Sequence, residues 1–203
     1  MRKLVLKMSM SLDGFVAGPN GETDWMVRGR GPDSAAWVLE TLSEAGIHAI
    51  GRRTYESMAS YWPTSTDQMA TPMNEIPKAI FTRQESLDLP TGIAEPVRSP
   101  ATGGWVSPRI ANGELAEEIR RLKEEPGKYI LAQGGAGFAR SLIQHGLVDE
   151  YRLVVHPVVL GRGLAIFDDL QLPMNLELVT TSAFRSGVVA QVYRAADEES
   201  VRR

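Results

Sequence analysis

The sequence contains no cysteine, which excludes disulfides and thiolate metal sites. Its three histidines, His48, His145 and His156, are scattered and form no H-x-x-x-H pair, so no metal site is expected. No apolar run approaches the length of a membrane span. Charge of either sign is not in excess: 22 Lys and Arg stand against 25 Asp and Glu, a net charge of −3, which gives no electrostatic argument for nucleic acid or membrane. The basic start, Met1-Arg2-Lys3-Leu4, does not lead into a signal core, because Lys7, Ser9 and Asp13 interrupt it. These absences read as a cytoplasmic protein. What is present fits that reading: 43% hydrophobic and 23% charged residues over 203 positions, enough chain to bury a core. The expected organisation is one domain over 1–195 followed by a charged tail, 196–203.

The stretch Tyr129 to Gly137, YILAQGGAG, organises the rest. Tyr129 to Ala132 is an apolar run of strand length. Gln133 and the glycine-rich Gly134-Gly135-Ala136-Gly137 follow, and Phe138 to His145 reads as a helix that Gly146 ends. A helix start offers unpaired N–H groups and a positive dipole end, and glycine lets a phosphate approach them. This stretch is equally compatible with a diphosphate cradle and with a tight turn that needs glycine only for its dihedrals. Two known phosphate motifs do not fit. A P-loop needs Lys and Ser or Thr where Phe138-Ala139 stand, and Arg140 occupies the last glycine of a G-x-G-x-x-G fingerprint. A nucleotide site must therefore be assembled from several parts of the chain.

Taken in order, Leu4 to Met10 alternates as a strand, ends in the turn Ser11-Leu12-Asp13-Gly14, and resumes as Phe15-Val16-Ala17. Asp33 or Ser34 can cap a helix running to Ala45. Ala49-Ile50 is a short strand. Gly51-Arg52-Arg53-Thr54 then leads into a helical turn, either a second anion site or a solvated basic turn. Tyr61 to Met73 reads as a long polar connection. Lys78 to Thr82 is a third strand, with Thr82-Arg83 at its end. Leu87 to Gly104 carries no clear pattern, and Trp105-Val106 reads as a short strand. Asn112 is placed to cap a helix reaching about Glu125. Glu150 to Leu160 is a long strand in which His156 reads as a satisfied strand histidine. The segments 175–181 and 187–194 form a terminal hairpin.

Alternating strands and helices argue for an α/β fold: a mostly parallel central sheet, helices on both faces, and antiparallel C-terminal strands. Ligands of such sheets bind at the carboxyl ends of strands. Gly51–Thr54, Thr82-Arg83 and Gly134–Gly137 all fall at such ends. Together they point to an extended ligand with several phosphates, such as NADPH.

The residues Ser11-Leu12-Asp13-Gly14, Gly51-Arg52-Arg53-Thr54-Tyr55-Glu56, Gly134-Gly135, Gly146-Leu147-Val148-Asp149-Glu150 and His156-Pro157-Val158-Val159-Leu160-Gly161 occur in an order that resembles the dihydrofolate reductase superfamily. The closer resemblance is to the branch containing the C-terminal reductase domain of the bacterial riboflavin-biosynthesis deaminase–reductase. It implies a three-layer dihydrofolate reductase-like fold, NADPH as cofactor, a small-molecule substrate of pteridine or ribosylamino-pyrimidine type, and a homodimer. Carried onto this sequence, it gives the diphosphate and adenosine phosphate to Gly51, Arg52, Arg53 and Thr54. Thr82 and Arg83 flank the 2′-phosphate, Gly134, Gly135, Ala136 and Gly137 hold the diphosphate, and Val16 and Ala17 meet the nicotinamide through backbone. The catalytic carboxylate falls on Asp33, four residues before Trp37, with Asp24 beside Trp25 as the second candidate; an N-cap is the competing role for Asp33. True dihydrofolate reduction, and a cofactor-binding module without chemistry, are the alternatives.

Overall fold

The computed structural model describes residues 1–84, 103–168 and 170–196. Ten strands and seven α-helices occur among them in the order β1 (Leu4–Ser11), β2 (Phe15–Ala17), α1 (Asp24–Arg28), α2 (Pro32–Ser43), β3 (Ile47–Gly51), α3 (Arg52–Tyr61), α4 (Ala70–Glu75), β4 (Lys78–Phe81), α5 (Gly103–Val106), β5 (Arg109–Ala111), α6 (Leu115–Glu124), β6 (Ile130–Gln133), α7 (Ala136–Gln144), β7 (Glu150–His156), β8 (Leu164–Ala165), β9 (Leu176–Ala183) and β10 (Val189–Ala195). Eight strands form one sheet in the order β5-β4-β3-β6-β1-β7-β10-β9, and β2 and β8 make a separate two-stranded ribbon. The sheet is mostly parallel, with antiparallel strands at the C-terminal end, as the alternation of elements predicts.

Backbone packing resolves the chain into two units. The first is Met1–Lys3 with Val38–Gly135; the second is Leu4–Trp37 with Ala136–Arg203. In the first unit β5, β4, β3 and β6 run parallel, with Gly51 opposite Phe81, Phe81 opposite Ala111, and Ala49 opposite Ala132. Ala49, Ile50, Ala79, Ile80, Ile130, Leu131 and Ala132 are all fully buried. Strands covered in this way read as continuous apolar runs rather than alternations, which is why short runs sufficed to find them.

In the second unit β1 pairs parallel with β7, and β10 joins β7 and β9 antiparallel. Leu4, Leu6, Met8 and Met10 of β1 are buried, each such side chain contributing about 1.5–3 kcal/mol. The alternate positions Lys7 and Ser9 are only half-buried. Helix α7 buries Ala139, Leu142 and Ile143 and closes on Gly146, whose φ of 61° lets Leu147 N–H reach the Leu142 carbonyl.

Four local expectations are corrected. Trp105-Val106 lies in helix α5, not a strand; the fully buried indole requires a partner and donates to Asn74 Oδ1 at 2.8 Å, while the strand is Arg109–Ala111. The connection from Tyr61 to Met73 contains a 3₁₀ turn at Trp62–Thr64 and the start of α4, where Asp67 accepts the Met69 N–H at 2.9 Å. Glu114, extended and without a side-chain capping bond, takes the cap position expected of Asn112. His156 is buried but not satisfied, as described below. Of the loop 87–104 only its last two positions are described, and of the tail 196–203 only its first.

Candidate functional site

Three strand-to-helix or strand-to-turn junctions of the first unit stand on one edge of its parallel strands, because β4, β3 and β6 are neighbours and point the same way. At the first, Gly51 caps α3 with extended backbone (φ −72°, ψ 149°) and offers no side chain to the helix N–H groups. Arg52 donates to Gln84 Oε1 at 2.8 Å and pairs with Glu56 at 3.3 Å, so it ties the start of α3 to the segment after β4. Arg53 is exposed and meets no carboxylate among the described residues. At the second junction the Thr82 hydroxyl accepts the Gln84 N–H at 3.0 Å, and Arg83 projects into solvent.

The third junction is the glycine-rich turn. Gly134 and Gly135 have φ of 73° and 72°, a left-handed pair that L side chains resist. Gly134 is also pressed against α3: a β-carbon there would lie 2.6 Å from Thr54 Cγ2. Gly134 therefore has a packing reason of its own to be glycine, beside any ligand. Ala136 and Gly137 open α7 and belong to its first turn; a β-carbon on Gly137 would meet nothing within 4 Å. The structure thus brings Gly51–Thr54, Thr82-Arg83 and Gly134 to one edge, with uncapped helix N–H groups at α3 and exposed guanidinium groups beside it.

In the second unit, Val16 and Ala17 are buried in β2, and Gly163 crosses the Ala17 carbonyl so closely that a β-carbon on it would lie 2.2 Å from the oxygen. Asp13 clamps the segment after β7, accepting N–H groups of Leu160 (3.1 Å) and Gly161 (2.7 Å). Its pKa is lowered, first by the Ser11 hydroxyl and then by backbone N–H groups outweighing burial. Asp33 stands at the second position of α2, not at its cap. One oxygen accepts the Ser34 N–H at 2.9 Å and the other the Arg185 N–H at 3.0 Å. Those bonds, the Arg185 one foremost, hold its carboxyl below the usual range. Asp24 is exposed and pairs with Arg28 one turn on.

A further cluster in this unit escaped the sequence reading. Lys7, Ser9 and Ser11 alternate along one face of β1, and register places Arg152, Val154 and His156 of β7 beside them. Lys7 Nζ lies 3.2 Å from Ser9 Oγ and has no carboxylate partner among the described residues. Burial first, then the nearby Arg30 charge, pulls its pKa down to about 8. His156 is 4% exposed, and neither ring nitrogen has a hydrogen-bond partner. Trp25 meets it edge-on with ring centroids 5.4 Å apart, and a β-carbon on Gly29 would approach Nδ1 to 3.4 Å. Burial, then the Lys7 charge, lowers the imidazole to about 4, so it is neutral near pH 7. The signal for this cluster in the sequence is the i, i+2 spacing of Lys7, Ser9 and Ser11 along β1.

Among the described residues, no helix is long and apolar enough to cross a membrane, and no group of three or more His, Asp or Glu side chains could hold a metal ion. An open hollow of about 420 Å³ lined by Tyr61, Thr64, Ser65, Thr66 and Asp67 contains none of the candidate site residues.

This architecture is the dihydrofolate reductase-like fold. The superposition with Enterococcus faecalis dihydrofolate reductase, solved with NADP(H) and RAB-propyl, has a TM-score of 0.62 at 15% identity and covers 96% of this chain and 97% of that one. A putative riboflavin biosynthesis protein from Shewanella sp. PV-4 superposes with a TM-score of 0.73 at 17% identity, covering 96% of this chain and 99% of the other. The sequence pattern of the RibD C-terminal domain matches residues 2–190, and the chain belongs to that family. Uncharacterized protein YyaP of Bacillus subtilis (strain 168) is 32% identical over 197 residues, covering 95% of this chain and 94% of its own length.

Proposed function

We propose that the protein is an NADPH-dependent reductase of a small heterocyclic or carbonyl substrate, acting in riboflavin- or folate-related metabolism. Membership of the RibD C-terminal domain family supports a reductase role. The observation that carries the cofactor is the convergence of Gly51–Thr54, Thr82-Arg83 and Gly134 on one edge of parallel strands. The residues fit the group. A diphosphate needs N–H donors without side chains in the way, and glycine stands at the start of α3 (Gly51) and in the left-handed turn after β6 (Gly134-Gly135), the latter followed in the chain by Ala136 and Gly137. A 2′-phosphate needs guanidinium groups without internal carboxylates, and Arg53 and Arg83 are of that kind, with Arg52 and the Thr54 and Thr82 hydroxyls beside them. Val16 and Ala17 are proposed for the nicotinamide amide through their backbone groups.

When bound, NADPH supplies hydride from nicotinamide C4 to an electron-poor C=N or C=O carbon. The chain's part is to bind, orient and manage the proton. The resemblance offers Asp33 and Asp24 for the substrate's charge. The two backbone bonds of Asp33 keep it ionised, which favours an anchoring role over proton donation.

Fluorescence titration tests the reading, since four tryptophans are available as donors to the reduced nicotinamide. Saturable quenching by NADPH at least tenfold tighter than by NADH is the expected result. Quenching by neither overturns it. A homodimer belongs to the same proposal. Among the described residues, edge strand β9 pairs only with β10 and leaves Leu178 and Val179 about half exposed, an edge suited to a second copy. Light scattering should return twice the 22.3 kDa chain mass; a monomer at all concentrations removes the dimer.

A further inference from the structure

The ribbon of β2 and β8 is a small element on which the proposed cofactor site depends. Its strands are three and two residues long, and neither belongs to the eight-stranded sheet. A two-stranded ribbon of this kind is marginal by itself. Phe15 stands opposite Ala165 and Ala17 opposite Leu164, with a register shift between them that leaves Val16 without an opposite residue. A bulge leaves its extra residue outside the ladder. The two residues proposed for the nicotinamide therefore sit on backbone that its own pairing holds weakly.

What fixes this backbone comes from outside the ribbon. The Phe15 N–H donates to Ser11 Oγ at 2.9 Å. On the other strand, Arg140 of α7 donates from Nε to the Ala165 carbonyl at 2.6 Å, and its Nη2 reaches Asp168 Oδ2 at 3.2 Å. The start of β8 bears directly on β2: a β-carbon on Gly163 would lie 2.2 Å from the Ala17 oxygen and 3.1 Å from Phe15 Cβ. Where β8 is held, β2 is held with it. The other end of the tie is the start of α7. Arg140 follows Ala136 and Gly137 by one helical turn, on the same face, and the Cα–Cβ bond of a helical residue tilts back toward the helix start. A guanidinium is planar and rigid, so its bonds to Ala165 and Asp168 fix one distance between α7 and β8. The Asp168 carboxylate is more than half exposed and adds little; the bond from Nε to the carbonyl is the holding contact. All of these elements belong to the second unit.

We propose that Arg140, which stands where a G-x-G-x-x-G fingerprint has its last glycine, is a positioning residue for the nicotinamide half of the cofactor. Through Ala165 and Gly163 it sets the Val16–Ala17 backbone at one distance from the first turn of α7. A diphosphate held at Ala136 and Gly137 then delivers the nicotinamide to backbone already in place. The inference rests on the reductase reading and adds to it a residue that acts through β8 rather than by contact with the cofactor.

Calorimetric titrations compare NADPH with 2′,5′-ADP on the wild type and on Arg140→Met. The second probe carries the 2′-phosphate assigned to Arg53 and Arg83 and no nicotinamide. With the ribbon released, its backbone has to be ordered at the moment of binding, so Arg140→Met should weaken NADPH about tenfold and change 2′,5′-ADP by less than about twofold. Hydrogen exchange on the nucleotide-free proteins should show the ribbon amides of Ala17 and Ala165 exchanging about tenfold faster in the variant, with those of Ile130–Gln133 unchanged. Arg140→Lys keeps a charge for Asp168 and gives up the Nε donor; it should show the same split, and it carries the test if Arg140→Met does not fold. Equal weakening of NADPH and 2′,5′-ADP overturns the proposal, because a general loss of structure does not discriminate between the two. Undiminished NADPH binding in the variants overturns it, as does unchanged exchange in the ribbon; in these cases the reductase reading stands. A wild type that binds neither nucleotide overturns the reductase reading, and this inference with it.

Discussion

Gly134 and Thr54 are in contact across the turn after β6 and the start of α3, with room for a hydrogen but not for a methyl group between them. Gly134→Ala should meet two penalties. The left-handed φ costs about 1–2 kcal/mol, and overpacking against Thr54 Cγ2 costs about 1–3 kcal/mol. Thermal unfolding should show the sum as a lowered midpoint. Adding Thr54→Ser removes the methyl and should recover the overpacking part, leaving the dihedral part. A double variant no more stable than Gly134→Ala would show that the contact does not limit the site.

Arg53 and Arg83 project from the edge without carboxylate partners among the described residues. On the cofactor reading, each changed to Ala should weaken NADPH about tenfold and leave NADH nearly unchanged, since only the former carries a 2′-phosphate. NADPH binding should also fall with added salt in the wild type, and less so in the variants. Equal losses for both cofactors would place the arginines elsewhere in the chemistry.

His156 and His48 give the protein a predictable acid sensitivity. Burial first, then the charge of Lys7 or Lys78, lowers their pKa values to about 4 and about 3. The unfolded chain takes up these protons near 6.5, so between pH 6.5 and about 4 it binds more protons than the native state. Stability is fully present above 6.5 and falls as the pH drops through that window, by up to about 1.4 kcal/mol per pH unit for each histidine. Denaturant titrations at pH 7, 6 and 5 should show this slope. His156→Gln should remove roughly half of it.

Tyr55 and Trp105 are both fully buried, and the Tyr55 hydroxyl donates to the Trp105 carbonyl at 2.6 Å. Tyr55→Phe keeps the ring and strands the carbonyl, which should cost about 1–3 kcal/mol. Chemical denaturation measures it; a change below 0.5 kcal/mol, on the order of a surface substitution, would mean another donor reaches the carbonyl.

The fold was legible where local pattern and final environment agree. The runs at Lys78–Phe81 and Ile130–Gln133 are fully buried strands, and β1 alternates because one of its faces is polar. The three junctions were legible because glycine and arginine at strand ends carry their chemistry locally. Trp105 was not legible, since its helix is fixed by Asn74 and Tyr55, distant in sequence. Nor was the state of His156: whether a strand histidine is satisfied depends on β1 and on the segment around Trp25 and Gly29, and nothing in its own neighbourhood records that. The two hydrogen bonds of Asp33 are of the same kind, one partner being adjacent and the other in the β9–β10 turn.

The parallel pairing of β1 with β7 sets an order of events on the ribosome. Leu4–Ser11 is translated roughly 140 residues before Glu150–His156, and at about 5–20 residues per second it waits on the order of ten seconds for that neighbour. An apolar strand left unpaired for so long is a hazard for association between nascent chains. The polar alternation of Lys7, Ser9 and Ser11 blunts it, keeping one side of the waiting segment hydrated until its partner emerges.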